Sequence, residues 1–185
     1  AENRGRTFSP APYTKEERCT AFLTDRAEKF ICKPSAQPWF LHLSYLKPHR
    51  PYLAPEPYNR LYNPEDVPEF IRASTIEAEA KQHPFLAYLL EQGVKNGYYT
   101  DTIFPRDENS MRQLRATYYG LISEIDDHIG RLMALLKETG QFENTVIVFL
   151  RDHGAQLGDH HLMMPEGDFY QSFHVPLIIR LPDNY

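Results

Sequence analysis

The chain has 185 residues, enough for one domain with a sizeable hydrophobic core, and we predict a single domain over residues 1–185. Its 20 Lys and Arg against 25 Asp and Glu give a net charge of −5, so electrostatics give no reason to expect nucleic acid or an anionic membrane as partner. No apolar run approaches the roughly 20 residues that span a bilayer, and the first residues lack the apolar region of a signal peptide. Two cysteines form no disulfide framework, which favours a reducing, cytoplasmic location.

The first part of the chain predicts a helix, a strand and a long loop. Thr14 followed by Glu17 is a capping-box pattern, which predicts a helix over residues 15–31. The sequence PWFLHLSY, residues 38–45, predicts a mostly buried strand. Residues 46–70 are rich in proline, which neither donates to a ladder nor fits inside a helix. This segment is therefore expected to be a long ordered loop, a feature that is usually functional in a compact domain.

The remainder predicts helices that alternate with apolar strands. The clearest helix covers residues 107–139, where apolar residues recur at three- and four-residue steps until Gly140 supplies a stop. A less regular helix interrupted at Pro84 and two apolar strands complete the predicted elements: residues 77–90, 145–150 and 175–181. A helix followed by a short turn and a buried strand is an αβ unit, so the pattern predicts an α/β fold with a parallel or mixed sheet flanked by helices.

Acid and imidazole side chains follow the strand over residues 145–150. Asp152 and His153 come directly after it, and Gly154 lets the chain turn sharply there. Ligands of open α/β sheets collect at the carboxyl ends of strands, so this pair is a candidate metal site. An imidazole suits manganese, iron or zinc better than calcium, which prefers oxygen. The alternative is a turn acid beside a solvated imidazole, and the spacing alone leaves both open.

A second polar cluster follows the strand predicted over residues 38–45. Lys47, His49 and Arg50 could together hold an oxyanion such as sulfate or phosphate. The alternative is a solvated basic loop, and the local sequence alone favours that alternative.

Three stretches of the chain carry a family resemblance. They read PWFLHLSYLKPHRPYLAPEPYNRLYNPEDVP, YYGLISEIDDHIGRLMALLKETGQFENTVIVFLRDHGAQLGDHHL and QSFHVPLIIR. In this order and at this spacing they resemble the middle of bacterial sulfatases and phosphonate monoester hydrolases, in the alkaline phosphatase-like superfamily. The resemblance implies the three-layer alkaline phosphatase-like fold, a sheet flanked by helices, present here as an incomplete, internal section.

The resemblance also implies roles for particular residues. Asp152 and His153 match the motif S-D-H-G and would be metal ligands. His49 would be catalytic, binding a sulfate or phosphate oxygen and acting on the leaving group. Lys47 and His174 would be substrate-binding residues along with His49. The implied cofactor is a divalent cation, manganese or calcium, with manganese favoured by the Asp-His pair.

The sequence departs from the family pattern around the same motif. Asp159 and His160 match the family's G-D-H and are expected to shape the site. Arg151 stands where the motif usually has Ser, and Ala155 replaces a common Glu. Pro165 occupies the position of a lysine that often contacts the transferred group, which removes a cation from the transition state.

A short match to the family's nucleophile motif is a second departure. Family members carry C-x-P-S-R, in which the Cys is oxidised to formylglycine, whereas CKPSA here runs from Cys32 to Ala36. The closing Arg is missing, and the segment follows a helix instead of preceding one. We therefore interpret Cys32 as a small residue near a helix end.

The resemblance and the residues together predict part of a metal-dependent hydrolase of sulfate esters or of phosphonate or phosphate monoesters. Its formylglycine nucleophile would lie outside this chain, which alone should not turn over substrate. Two alternatives remain: a catalytically inactive sulfatase-like binding module, favoured by Pro165 and Arg151, and a related metal-dependent phosphatase with a Ser or Thr nucleophile. The expected partner is a small anionic ester, and apolar sheet surface left bare in a partial domain predicts self-association.

Overall fold

The structure is a computed structural model that describes residues 8–96 and 107–182. Four α-helices precede the first strand in this part of the chain, and a short α-helix separates the two strands. The helices are α1 Cys19–Ile31, α2 Ile76–Ala80, α3 Pro84–Lys95, α4 Glu108–Glu138 and α5 Tyr170–Phe173, and the strands are β1 Ile147–Leu150 and β2 Leu177–Arg180.

The chain divides into two compact units. Unit 1 comprises Ala1–Asn63, Ala116–Ile147 and Arg180–Tyr185, and unit 2 comprises Pro64–Arg115 and Val148–Ile179. That residues 1–185 form one domain stays a prediction.

The apolar core of unit 1 lies between α1 and α4. Ala27 and Ile31 of α1 pack with Leu132 and Leu136 of α4, and all four are buried. Side chains from the segment after α1 cover this cluster: Trp39, Leu41 and Leu43. The spacing of two residues between these three is that of an extended chain with one face on the core.

The segment that supplies these side chains was predicted as a strand, and that prediction is wrong for the described structure. Residues 38–45 are extended and alternate between covered and exposed side chains, but they belong to no ladder. Phe40, on the other face, is 87% exposed. The local pattern gave the extended conformation correctly, whereas a strand also needs a neighbour to share its hydrogen bonds, which the pattern cannot supply.

Helix α1 begins four residues later than the capping-box pattern predicted. The carboxylate of Glu17 does accept from the backbone N–H of Thr14 at 2.9 Å, but around an isolated turn. Arg18 then adopts extended backbone angles as the N-cap of α1. Its buried guanidinium is held by more distant parts of unit 1, and these contacts outweigh the local preference for an earlier start.

Pro84 separates two helices instead of interrupting one. The Thr75 side chain accepts from the backbone N–H of Ala78 and caps α2. Pro84 occupies the first turn of α3, where its missing N–H has no intrahelical partner to lose.

Helix α4 confirms the clearest prediction. The carboxylate of Asp107 accepts from the backbone N–H of Ser110 at 2.8 Å, which caps its start. The helix ends at Glu138, and Gly140 follows with a left-handed φ of 69°, as a helix stop requires.

Strands β1 and β2 pair in a two-stranded sheet, and both were predicted. Their apolar side chains are largely exposed, most of all Leu150, Leu177 and Ile178. In the part of the chain that the structure describes, no helix combines the length and the apolar character that a membrane crossing requires.

Candidate functional site

The residues directly after β1 form the centre of the candidate site in unit 2. The side chain of Asp152 is 82% exposed, and one of its carboxylate oxygens accepts from the backbone N–H of His153 at 2.9 Å. This hydrogen bond, together with the nearby imidazole, holds the pKa of Asp152 below its usual value. The carboxylate is therefore ionised and accessible at neutral pH, as a metal ligand must be.

The imidazole of His153 is oriented by the backbone. Its Nδ1 atom lies 2.7 Å from the carbonyl oxygen of Gly154. Because a carbonyl oxygen only accepts, Nδ1 carries the proton and Nε2 presents a lone pair. Metal-binding histidines are typically fixed in this way, with the second ring N–H donated to a carbonyl or carboxylate.

The two side chains are spaced as ligands of one cation would be. His153 Nε2 lies 3.7 Å from Asp152 Oδ2. Ligand atoms that are each ~2.1 Å from the same ion stand at most about 4.2 Å apart. The pair thus fits a shared divalent cation. Within residues 8–96 and 107–182 it is not joined by a third acid, His or Cys in a ligating cluster.

Gly154 is required at this turn for a reason that the sequence did not reveal. A Cβ at this position would stand 1.8 Å from the carbonyl oxygen of Gln171. The backbone N–H of Gly154 donates to the Ser172 carbonyl at 2.8 Å. Helix α5 is therefore packed directly against the turn that carries the two candidate ligands, and close approach, in place of a special φ, excludes a side chain.

Asp159 joins the segments around this turn. It is buried, and its Oδ1 atom accepts from the backbone N–H of Ile71 at 3.0 Å and from Arg115 Nη2 at 2.8 Å. Its Oδ2 atom accepts from Gln171 Nε2 at 3.1 Å, on α5. The contacts are all structural, which supports the role in shaping the site that the resemblance implied.

His160 is held by similar means. Its Nδ1 atom lies 2.8 Å from an oxygen of the buried Glu79, and its ring stacks on Phe169 at 3.6 Å. The backbone of His160 and of His161 is left-handed, with φ of 54° and 55°. Such angles cost about 1 kcal/mol or more for a residue other than glycine, so the surrounding contacts must hold them in place.

His174 follows α5 in the same unit. It is exposed, and its ring stacks on Tyr170 with 4.3 Å between centroids. A substrate-binding role for His174 stays a prediction.

Lys47 and His49, from the second polar cluster, lie in unit 1, and their side chains have different surroundings. His49 is exposed, and its Nδ1 atom lies 2.8 Å from the Arg50 carbonyl oxygen, which leaves Nε2 free. Lys47 is only 8% exposed, and its ammonium donates to the carbonyl oxygens of His49 and Pro51, both at 2.9 Å. Burial lowers the pKa of Lys47 to about 8, with a further contribution from Arg18. The ammonium thus faces the backbone.

Sequence reasoning missed four buried charged residues: Arg18, Glu79, Arg115 and Glu124. A signal was present for the two in α4, since Arg115 and Glu124 lie beside apolar positions of a helix whose face was predicted to be buried. Arg18 lies outside any periodic pattern and offered no such signal.

Comparison with known proteins decides the family. The family model described as Sulfatase matches residues 2–185. The chain belongs to the sulfatase family. It is 42% identical over 179 residues to the multifunctional alkaline phosphatase superfamily protein PehA of Trinickia caryophylli, which covers 95% of this chain and 35% of that protein. It is 30% identical over 149 residues to an arylsulfatase of Clostridium perfringens, covering 80% of this chain and 29% of the relative.

Solved structures give the fold of this sulfatase-family chain. It superposes on the phosphonate monoester hydrolase SpPMH of Silicibacter pomeroyi with a TM-score of 0.85 and 38% identity, covering 95% of this chain and 35% of that one. The enzyme of Agrobacterium radiobacter gives 0.84 and 36%, with the same coverage. The predicted alkaline phosphatase-like fold and the hydrolase family are confirmed, and metal dependence is general in this family. The chain spans about a third of the length of these relatives.

Proposed function

We propose that this chain is the section of a metal-dependent hydrolase that supplies two ligands of the metal and a proton-transferring histidine. The substrates would be sulfate esters or phosphonate and phosphate monoesters. One observation carries the proposal: the free Nε2 atom of His153 lies 3.7 Å from a carboxylate oxygen of the exposed Asp152. The family membership of the chain supports the same chemistry.

The residues divide the work as follows. A divalent cation would neutralise the oxygens of the transferred group, with Asp152 and His153 holding it. In its protonated form, His49 would donate from Nε2 to an oxygen of that group and pass this proton to the departing ester oxygen, which leaves the neutral ring with its Nδ1–H on the Arg50 carbonyl. His174 would contribute to substrate binding.

The nucleophile would lie outside this chain. Cys32 is the C-cap of α1, and its backbone N–H donates to the Glu28 carbonyl at 2.9 Å. It thus ends a helix, where C-x-P-S-R in the family begins one, and Ala36 replaces the closing Arg. A formylglycine in the remainder of a longer polypeptide is the expected nucleophile.

Metal binding by the purified chain tests the proposal. We expect Mn²⁺ to bind in the chain, measured by the electron paramagnetic resonance of free Mn²⁺, and to be displaced by Ca²⁺ only at a higher concentration. His153→Gln and Asp152→Asn should each weaken binding at least about tenfold, since each removes one of the two proposed ligands. His42→Gln, which removes another exposed imidazole, is the matched control and should bind as the wild type does. Equal binding by all four proteins would refute the site.

A non-catalytic binding module is the second candidate, and Pro165 favours it. No lysine occurs between Asp152 and the last residue of the sequence, so the cation that family members place there is absent. A C-x-P-S-R motif encoded upstream would support the enzyme, Ser or Thr in place of the Cys would support a related phosphatase, and neither would support the binding module.

A further inference from the structure

The segment that carries His49 has an unusual supply of hydrogen-bond donors. Pro48 and Pro51 have no backbone N–H, so this stretch cannot be held by a ladder. Its carbonyl groups still need donors wherever they are covered. Two buried cationic side chains provide three such hydrogen bonds, and the backbone N–H of Leu53 donates another, to the Pro51 carbonyl at 2.9 Å.

The donated bonds go to alternate residues of the segment. Lys47 Nζ donates to the carbonyl oxygens of His49 and Pro51, each at 2.9 Å. Arg18 Nη1 donates to the carbonyl of Leu53 at 2.7 Å. The intervening carbonyl, of Arg50, accepts from the imidazole of His49 at 2.8 Å. Because the carbonyls of His49 and Pro51 are held, the Arg50 carbonyl between them is also held in place. This carbonyl accepts from the His49 imidazole and so fixes the orientation of that ring.

The cations themselves are held in unit 1. Arg18 is 4% exposed and Glu124 is fully buried, with 2.9 Å between Arg18 Nε and Glu124 Oε1. Arg18 thus pairs with one buried carboxylate, whose charge also acts on Lys47, and three carbonyls accept hydrogen bonds from the two cations. A buried ammonium without such partners would be strongly unfavourable.

We propose that Lys47 and Arg18 are positioning residues. Their hydrogen bonds hold the backbone of the proline-rich segment, and this fixes the Nε2 atom of His49 as a free lone pair or proton donor toward the substrate oxyanion. This rests on the proposed role of His49 and assigns Lys47 a different role from direct substrate contact. The charge of Lys47 acts through the His49 and Pro51 carbonyls, and the imidazole is the group that meets the ester.

The tautomer of His49 directly tests whether Lys47 positions this segment. In the ¹⁵N-labelled full chain above neutral pH, the ring nitrogen shifts should show one dominant tautomer, with the proton on Nδ1. Lys47→Met keeps the length of the side chain but removes its donors, and should give a mixture of the two tautomers. Lys47→Arg retains donors and charge and should restore Nδ1–H. Lys33→Met, which removes an exposed lysine in the same unit, is the control and should leave His49 unchanged.

The role of His49 is tested separately, with inorganic sulfate as the probe. Titration should shift the His49 ring signals in the wild type, and Lys47→Met should weaken the apparent affinity at least about fivefold, with recovery in Lys47→Arg. If sulfate leaves His49 unaffected in the wild type but Lys47→Met still changes the tautomer, the positioning role of Lys47 is supported and the proposed function of His49 fails. If the tautomer is the same in all variants, the positioning proposal is refuted.

Loss of folding in Lys47→Met would not end the test. Lys47→Gln keeps neutral N–H donors on a shorter side chain, and should show a tautomer population between those of the wild type and a free imidazole. A wild-type population in a folded Lys47→Gln whose amide no longer reaches the Pro51 carbonyl would overturn the proposal.

Discussion

Gly154 lies so close to Gln171 that a Cβ at position 154 would stand 1.8 Å from the Gln171 carbonyl oxygen. The turn that carries Asp152 and His153 is thereby placed against α5 with no room between the two backbones. A glycine at this point is a matter of packing, and the fit can be tested with a single methyl group.

Gly154→Ala should separate the turn from α5. We expect a loss of roughly 1–3 kcal/mol in the free energy of unfolding, the usual cost of forcing extra volume into a packed site, together with weaker Mn²⁺ binding. Gly130→Ala is the matched control, since a Cβ there meets nothing within 4 Å in the middle of α4. That variant should gain about 0.5–1 kcal/mol. Urea unfolding measures both, and equal stability of the two variants would contradict the packing argument.

Asp159→Asn should destabilise unit 2. The substitution removes the charge that faces the buried Arg115 and turns one acceptor oxygen into a donor, with Ile71 N–H and Gln171 Nε2 among its present partners. Breaking a buried ion pair from one side costs about 3–5 kcal/mol.

Asp126→Asn makes the same charge change on the exposed side of α4 and should alter the free energy of unfolding by at most ~0.5 kcal/mol. Chemical denaturation followed by circular dichroism gives both values. If Asp159→Asn lowers the free energy of unfolding by less than about 1 kcal/mol, the contacts of Asp159 with Ile71, Arg115 and Gln171 do not hold unit 2 together.

The stability of the chain should depend on pH through Lys47. Burial lowers its pKa in the folded state from 10.5 to about 8, among Arg18, Cys19 and Glu124. Between these two values the unfolded chain holds up to one more proton, so this group makes the free energy of unfolding rise with pH, by at most ~1.4 kcal/mol per unit.

Lys47→Met removes that contribution. The wild type should therefore gain stability relative to the variant as the pH is raised from about 7.5 to 9.5. Urea unfolding of both proteins across this range measures the difference, and curves that stay parallel would show that Lys47 titrates normally.

The purified chain should not hydrolyse nitrophenyl sulfate or a nitrophenyl phosphonate ester, with or without Mn²⁺. Its sequence contains no C-x-P-S-R, and Cys32 ends a helix. Release of nitrophenol measures the rate, with Cys32→Ala as the control variant. Turnover comparable to that of a full-length relative would refute this expectation, and loss of that turnover in Cys32→Ala would make Cys32 the nucleophile.

The elements that depend on local sequence were predicted well. Helix α4 follows from its apolar periodicity, and its end follows from Gly140, because both are properties of a few consecutive residues. The start of α1 was predicted too early, because the burial of Arg18 against the distant Glu124 decides it. The strand predicted over residues 38–45 lacks a partner for the same kind of reason, since pairing is not a local property.

In the candidate site too, features that depend on neighbouring residues could be predicted, and those that depend on distant contacts could not. Asp152 and His153 could be named from the sequence, since they follow an apolar strand and match a motif. The direction in which Lys47 points could not, because it depends on the carbonyls of His49 and Pro51 after the chain has bent around its prolines. The anchoring of Asp159 by Arg115 was equally hidden, as the two are brought together only by the fold.

The extended segment over residues 38–45 has a practical consequence for all of these measurements. Among the described residues it belongs to no ladder, and the ring of Phe40 is exposed on one face. The segments of two molecules can pair as neighbouring strands through backbone hydrogen bonds, and further copies can add in the same way. We therefore expect light scattering and thioflavin fluorescence to rise with protein concentration, and Phe40→Lys to suppress that rise.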